Sequence, residues 1–595
     1  MRGGLRGTLR LSLALCVVGA CSPGGERRPS GSTPAPPAEA VAEAPLPPPE
    51  PASAAPRLDP EAAAWVEHTL ARMTLEQRIA QLVVPWISGD APALNRQEFE
   101  RMLRWVAQDQ VGGLIISRGR PEALAAKLDA AQARARVPLL VVSDLETGPG
   151  MRLNPGGTDL PPAMAFGAAD DVALAREAGR ITGVEARAVG IHMTLGPVLD
   201  VNSNPDNPII NIRSFAEDPE RVARLGSAWL QGARDAGLLS AGKHFPGHGD
   251  TEVDSHVGLA TIFGDSARLE AVELLPFRRA AAAGMDGVLV GHIAAVGLEG
   301  RGALPASLSA RVIGGLLRGQ LGFQGLVFTD ALNMGAITRS YAVGEASIRA
   351  LQAGADVLLQ PPGTGSVIAE IVRAVEAGRL PRERIDDSAR RMLSAKAAAG
   401  LHLHARVALD SVGYSVGAAE HRALAREVAS ASITLVRDRA ELVPFSRSGA
   451  RVLHVVYTTS GGGAAGAVLT RELGAAGLRV EQVRVGARTS SAELAALRRR
   501  AAEAELIVAT VALAPHQYRA LGLEGGFGRF VEQLSSAGRP VIAVSLGSPY
   551  LLEAFPSVPT YLLGWSASEV SQQAVARALL GQSRIRGDLP VTLER

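Results

Sequence analysis

Three histidines, a lysine and three acids stand within fourteen positions in "KHFPGHGDTEVDSH", residues 243 to 256. Glycine and proline interrupt the stretch, so it cannot run as a regular helix or strand. Two chemistries are open to such a loop. His244, His248, Asp250 and His256 could ligate zinc, because imidazole and carboxylate are suitable donors. Alternatively, Asp254 and His256 flank one serine, close enough for the carboxylate to orient the ring and favour its protonated form. With a reference pKa of about 6.5, histidine is suited to general acid–base work near neutrality. An exposed Asp–His pair on a polar loop is the third and plainest reading.

The elements that must position this loop favour one of these. From about residue 60, apolar runs of strand length alternate with amphipathic helical stretches. The runs are "IAQLVVPW", "VGGLIIS", "PLLVVSD", "IHMTLGPVLDV", "LLSAGKHF", "GVLVGHI", "GLVFTDAL" and "ADVLLQP". Their near-continuous apolarity suits parallel strands buried on both faces. About eight strand–helix units in roughly 300 residues is the requirement of a (β/α)8 barrel, with a doubly wound open sheet as the alternative. A barrel puts chemistry in the loops at the C-terminal strand ends. Asp144, Asp200, Lys243, His244, His292 and Asp330 all fall there. Singly each could be a cap or turn residue; together on one rim they would surround a polar pocket. Barrel metallohydrolases usually carry a His-x-His pair near the first strand, and "IAQLVVPW" has none, so proton transfer is favoured over zinc.

A second α/β region is expected from its strands "SITLVRD", "RVLHVVYTT", "VEQVRV", "LIVATVA", "VIAVSLG" and "TYLLGW", an αβα sandwich with a mostly parallel sheet. Its "GGGAAG" lacks the lysine–serine ending of a phosphate loop and reads as a strand-to-helix turn. The expected organisation is a signal segment over 1–20, a Pro/Ala-rich tether over 21–58, the barrel over 59–400, a linker over 401–430 and the sandwich over 431–595.

The 595-residue chain has a formal net charge of +2 and no basic run interleaved with aromatics, which argues against nucleic acid as a partner. Its two cysteines, Cys16 and Cys21, are both N-terminal, which excludes a disulfide framework or a cysteine-ligated zinc in the body. Arg2, Arg6 and Arg10 precede "LSLALCVVGA", too short to span a bilayer as an ordinary helix. The ending "VVGAC" resembles a bacterial lipoprotein signal. That resemblance implies lipidation of Cys21 and a membrane anchor, with Ser22 favouring the outer membrane; a plain secretory signal is the alternative.

"KHFPGHGDTEVDSH", "NIRSFAEDP" and "GLVFTDALNMGAI" together resemble glycoside hydrolase family 3, in its β-N-acetylglucosaminidase branch. The resemblance spans about residues 60 to 595, because "VIAVSLGSPYLL" and "GDLPVTL" are similar to the second domain of two-domain members. It implies a retaining, exo-acting hydrolase of N-acetylglucosamine-containing glycans, with no metal and no cofactor. Asp330 matches the catalytic nucleophile, His256 the general acid/base and Asp254 its partner. Asp144, Arg152, Arg213, Lys243 and His244 match sugar-binding positions, with Asp200 in support and His292 beside the pocket. Two segments depart from the family pattern: "DLETG" stands where aspartate-x-glutamate-glycine-glycine is usual, and "RSFAEDP" where "RSFGEDP" is.

Overall fold

Seven of the eight apolar runs form one parallel sheet, and the eighth closes it. The computed structural model describes residues 58–459, 464–515 and 522–593. The signal segment, Cys21, the tether and the first part of "GGGAAG" lie outside the described residues. The first strand, β1, is Val83–Val84 and resumes as Trp86–Ile87 after Pro85, which has no N–H to give a ladder. The others are β2 (Gly113–Ile116), β3 (Leu140–Ser143), β4 (Met193–Thr194), β5 (Leu239–Phe245), β6 (Gly287–Val290), β7 (Leu326–Thr329) and β8 (Leu358–Leu359). Parallel ladders run from Trp86–Ile87 of β1 through β7. Val357 bridges to Phe328 of β7, and β8 pairs with Val83–Val84, so the ring closes. This is the expected barrel.

Side-chain alternation explains why these residues hold a barrel. Val84, Ile115, Val142, Met193, Ala241, Leu289, Phe328 and Leu359 pack together in its interior. Their neighbours Val83, Leu114, Val141, Val288 and Val327 pack outward against the helices. With both faces buried, each Val, Leu or Ile contributes about 1.5–3 kcal/mol, and a charge at Val142 would leave no face to which it could turn. Two expected runs are trimmed. Ile79 and Ala80 of "IAQLVVPW" end a helix, Leu75–Ala80, because Thr74 and Gln77 cap its start reciprocally. "IHMTLGPVLDV" is paired over Met193–Thr194, then touches β5 again at a single bridge, Val198 to Lys243.

The second sheet has the six expected strands: β9 (Thr434–Asp438), β10 (Arg451–Thr458), β11 (Arg479–Val485), β12 (Leu506–Ala512), β13 (Val541–Ser545) and β14 (Thr560–Leu563). Their order is β9-β14-β13-β12-β10-β11, parallel except for the antiparallel edge β9, with an apolar cluster on each face. Residues 401–430, expected as a linker, include most of a helix, Ala419–Ser432. Its Leu424, Ala425 and Val428 join the barrel's outer core, while Ala429 joins the sandwich core. Met164, Ala165 and Ile212 of the barrel in turn pack into the sandwich cluster. Among the described residues no helix is long and apolar enough to cross a membrane.

Candidate active site

A cavity of about 630 Å³ opens at the C-terminal rim of the barrel strands. Asp144, Arg152, Arg213, Lys243, His244, His256 and Asp330 all line it, as do Ala514 and Pro515 from the sandwich. Seven residues scattered over 187 positions of sequence are thus gathered by the strands that end beneath them. Asp254 stands behind His256.

One wall is a ring of charge. Asp144 follows β3 directly; its Oδ1 accepts from Lys243 Nζ at 2.7 Å and its Oδ2 from Arg152 Nη2 at 2.8 Å. Two residues on, Glu146 accepts a fork from Arg213, Nε to Oε2 at 2.8 Å and Nη2 to Oε1 at 2.9 Å. Lys243 Nζ also lies 2.6 Å from Glu146 Oε1, so one buried ammonium joins both carboxylates. Burial acts to raise both carboxyls, but the cations outweigh it: Lys243 and Arg152 hold Asp144 below its usual pKa, and Arg213 and Lys243 hold Glu146 well below. The carboxylates in return hold Lys243 and Arg213 above their usual values against burial. Such an ionised wall offers charge-assisted hydrogen bonds to several hydroxyls at once. Glu146 was not anticipated as a site residue. The signal was the spacing in "DLE", which in extended chain puts two carboxylates on the same side.

Asp200 is the hub beneath this wall. Fully buried, it accepts His244 Nδ1 at 2.7 Å on Oδ2, and the N–H groups of His244 and His248 at 3.1 and 2.7 Å on Oδ1. His248 carries the dyad loop. Thr251 Oγ1 donates to the His248 carbonyl at 3.0 Å, so His248 Nδ1–H donates to Thr251 Oγ1 at 2.6 Å and Nε2 accepts from Ser255 Oγ at 3.1 Å. Burial, helped by His244, pushes His248 down to about 4, which keeps the ring neutral and Nε2 able to accept. Ser255, held there, sits between the members of the dyad. Asp254 Oδ1 accepts both the backbone N–H and Nδ1 of His256, at 2.9 and 2.7 Å.

Asp330 leaves β7 with its N–H on the Val290 carbonyl, and its Oδ1 accepts the Ala331 N–H at 2.7 Å. Burial acts to raise its pKa; the neighbouring imidazoles of His292, His244 and His256 and the Ala331 amide outweigh it and lower it. His292 lies outside the cavity lining. It is fully buried, with Nε2 3.0 Å from the Ala331 carbonyl and Nδ1 2.7 Å from Ser307 Oγ, and so steadies Ala331, the residue whose N–H Asp330 accepts.

The three histidines of the opening motif are thus committed to three different partners, Asp200, the Thr251/Ser255 pair and Asp254. Among the described residues no three His, Cys, Asp or Glu side chains converge as a metal site would require. What does converge is an ionised carboxylate, an imidazole backed by a carboxylate, and a wall that binds hydroxyls. That set can attack and protonate an acetal.

Known proteins resemble the chain in sequence and fold. The family model described as "Glycosyl hydrolase family 3 N terminal domain" matches residues 74–395. "Beta-hexosaminidase A" of Pseudoalteromonas piscicida is 29% identical over 516 residues, 78% of this chain and 85% of that protein. The solved β-N-acetylglucosaminidase of this family from Paenibacillus sp. str. FPU-7 is 34% identical with a TM-score of 0.78, over 87% of this chain and 99% of its own. The solved β-glucoside phosphorylase BglX is 25% identical with a TM-score of 0.83, over 91% of this chain and 98% of its own. The family model covers more than half of the chain and the barrel and sandwich match the solved relatives: the chain belongs to glycoside hydrolase family 3.

Proposed function

We propose that the protein is a retaining, exo-acting β-N-acetylglucosaminidase that works through a covalent glycosyl-aspartate. The observation that carries this reading is Asp330, with its pKa lowered, on one cavity with an imidazole whose Nδ1 is bound to Asp254. Asp330 attacks the anomeric carbon as the glycosidic C–O bond breaks. Protonated His256, whose Nδ1 faces Asp254, gives its Nε2 proton to the departing oxygen, and the aglycone leaves as an alcohol. Neutral His256 then takes a proton from water, the water oxygen attacks the same carbon, and Asp330 departs as carboxylate. Two inversions give net retention. The preference for N-acetylglucosamine is supported by the Paenibacillus enzyme.

The likeness to BglX supports a second reading, in which phosphate rather than water resolves the intermediate on a glucoside or N-acetylglucosaminide. One experiment separates them. Aryl glycosides of N-acetylglucosamine, glucose and N-acetylgalactosamine are offered with and without phosphate, and the sugar product is identified. Free N-acetylglucosamine of β configuration, unchanged by phosphate, supports the first reading; a sugar 1-phosphate establishes the second, and turnover of glucoside alone rejects the first.

The N-terminal "LSLALCVVGAC" supports export and attachment through a lipid on Cys21, at the outer membrane, where glycans derived from peptidoglycan would be the substrate. A fatty-acid analogue should label the wild type and not Cys21→Ser; equal labelling, or none in either, rejects the anchor.

A further inference from the structure

Arg152 reaches the sugar wall from a loop that neither β3 nor β4 contains. The loop closes on itself where the Gly150 N–H donates to the Thr158 carbonyl at 2.7 Å, and Gly119 N–H holds the Arg152 carbonyl at 2.9 Å. What fixes Thr158 is a carboxylate from elsewhere. Glu185, on the helix Val172–Ala188, accepts the Thr158 N–H on Oε2 at 2.9 Å and the Thr158 hydroxyl on Oε1 at 2.5 Å. His421 Nδ1 lies 2.8 Å from the same Oε1. Glu185 is wholly buried, Thr158 is 1% exposed and His421 4%. Among the described residues no lysine or arginine side chain pairs with Glu185.

A carboxylate buried this deeply is costly, and hydrophobic packing would fill the space at less cost. Its geometry supplies what packing cannot: two acceptor oxygens set for two donors of one loop residue and one donor of a distant helix. That helix, Ala419–Ser432, leads directly into β9 of the sandwich. The chain just before it packs on the same loop, because a Cβ on Gly417 (φ +66°) would come 2.2 Å from the Gly156 carbonyl. The loop that carries Arg152 is therefore held between a barrel helix and the helix that joins the two domains.

We propose that Glu185 is a positioning residue for sugar binding: with Thr158 and His421 it clasps the Arg152 loop, so that docking of the sandwich sets where Arg152 stands against Asp144. The proposal rests on the glycosidase reading of the site but not on which sugar it takes. The loop's accuracy matters because a displacement of about 1 Å at a binding group can cost about 100-fold.

The test uses whichever aryl glycoside the wild type cleaves, so that a different sugar specificity leaves it intact. Thr158→Val removes one donor at constant volume, and Glu185→Leu removes both acceptors. Each should lower kcat/KM by about 10- to 100-fold, chiefly through KM, in protein that is folded at the assay temperature. Thr158→Ser should restore KM, and His421→Leu should raise it in the same direction from the other domain's side. In an Arg152→Ala background Thr158→Val should change KM by less than about twofold, because what it positions has gone. A lowered melting temperature with unchanged KM would make the cluster merely structural. An undiminished Thr158→Val effect without Arg152 would break the link to that residue, and wild-type KM in His421→Leu would remove the interdomain part.

Discussion

On the proposed mechanism Asp330 and His256 divide the reaction, so their loss should leave different enzymes. Asp330→Ala has no nucleophile and should be nearly inert even towards a nitrophenyl leaving group; added azide, entering the vacated space, should give product of inverted configuration. His256→Ala loses proton transfer, a contribution of about 100- to 10,000-fold. Its glycosylation by a nitrophenyl glycoside, which needs little protonation, should suffer less than that by an alkyl glycoside, and the adduct should accumulate on Asp330. Mass spectrometry of the denatured variant locates it; an adduct elsewhere, or an unchanged ratio of the two rates, reverses the assignment. His248 makes a subtler case. Its Nε2 accepts from Ser255, which ties the ring to the loop that carries the dyad. His248→Ala should lower kcat by about 10-fold while KM moves much less, the reverse of the Arg152 loop variants. A matching rise in KM would place His248 on the sugar instead.

At the scale of elements, burial made the strands legible and contact made the site partly so. The barrel strands lie within runs of near-continuous apolar residues, because a strand buried on both faces has no polar position to disguise it, whereas the sandwich edge strand β11, Arg479–Val485, alternates polar and apolar residues and is largely exposed or half-buried. Where the chain turns away after two paired residues, as at Met193–Thr194, apolarity continues and the boundary is invisible, since Leu195, Val198, Leu199 and Val201 are still buried. The motif residues Lys243, His244, Asp254, His256 and Asp330 could be named from spacing and family likeness. Glu146 could have been, from "DLE", but Glu185 and His421 could not: their meaning comes from a meeting across 236 positions. The same holds for "RSFAEDP" and "GDLPVTL". Glu217 accepts the Thr592 N–H at 2.7 Å and the Thr592 hydroxyl, and its own N–H donates to Pro590, so one motif pins the other. Glu217→Ala should free the C-terminal tail to proteolysis and cost about 1–3 kcal/mol of stability, with kcat nearly unchanged. A fall in kcat without faster cleavage would mean that Glu217 serves the site directly.

For the molecule as a whole, the ionic wall of the cavity is also part of what keeps the chain folded. Asp144, Glu146, Asp200 and Asp356 are all held below their usual pKa, Asp356 by Arg318, Arg384 and Arg391 at the barrel's other end. A carboxyl lowered in the folded state contributes stability that is present above its unfolded pKa, about 4, and is lost as pH falls through the folded value. Asp286 and Glu273, raised by burial, act in the opposite sense; each faces a single arginine, whereas Asp144, Glu146 and Asp356 each face two or three cations. Stability should therefore drop below about pH 4. The helix Ala419–Ser432 contributes to both cores, and Met164, Ala165 and Ile212 of the barrel complete that of the sandwich, so the two domains share apolar packing at their junction. Acid should accordingly melt them together: differential scanning calorimetry at pH 7 and at about pH 3 should give a single transition that moves down as one, with activity lost over the same range. Two transitions that separate as pH falls, the sandwich surviving the barrel, would show that the shared helix does not couple them and that the ionic wall stabilises the barrel alone.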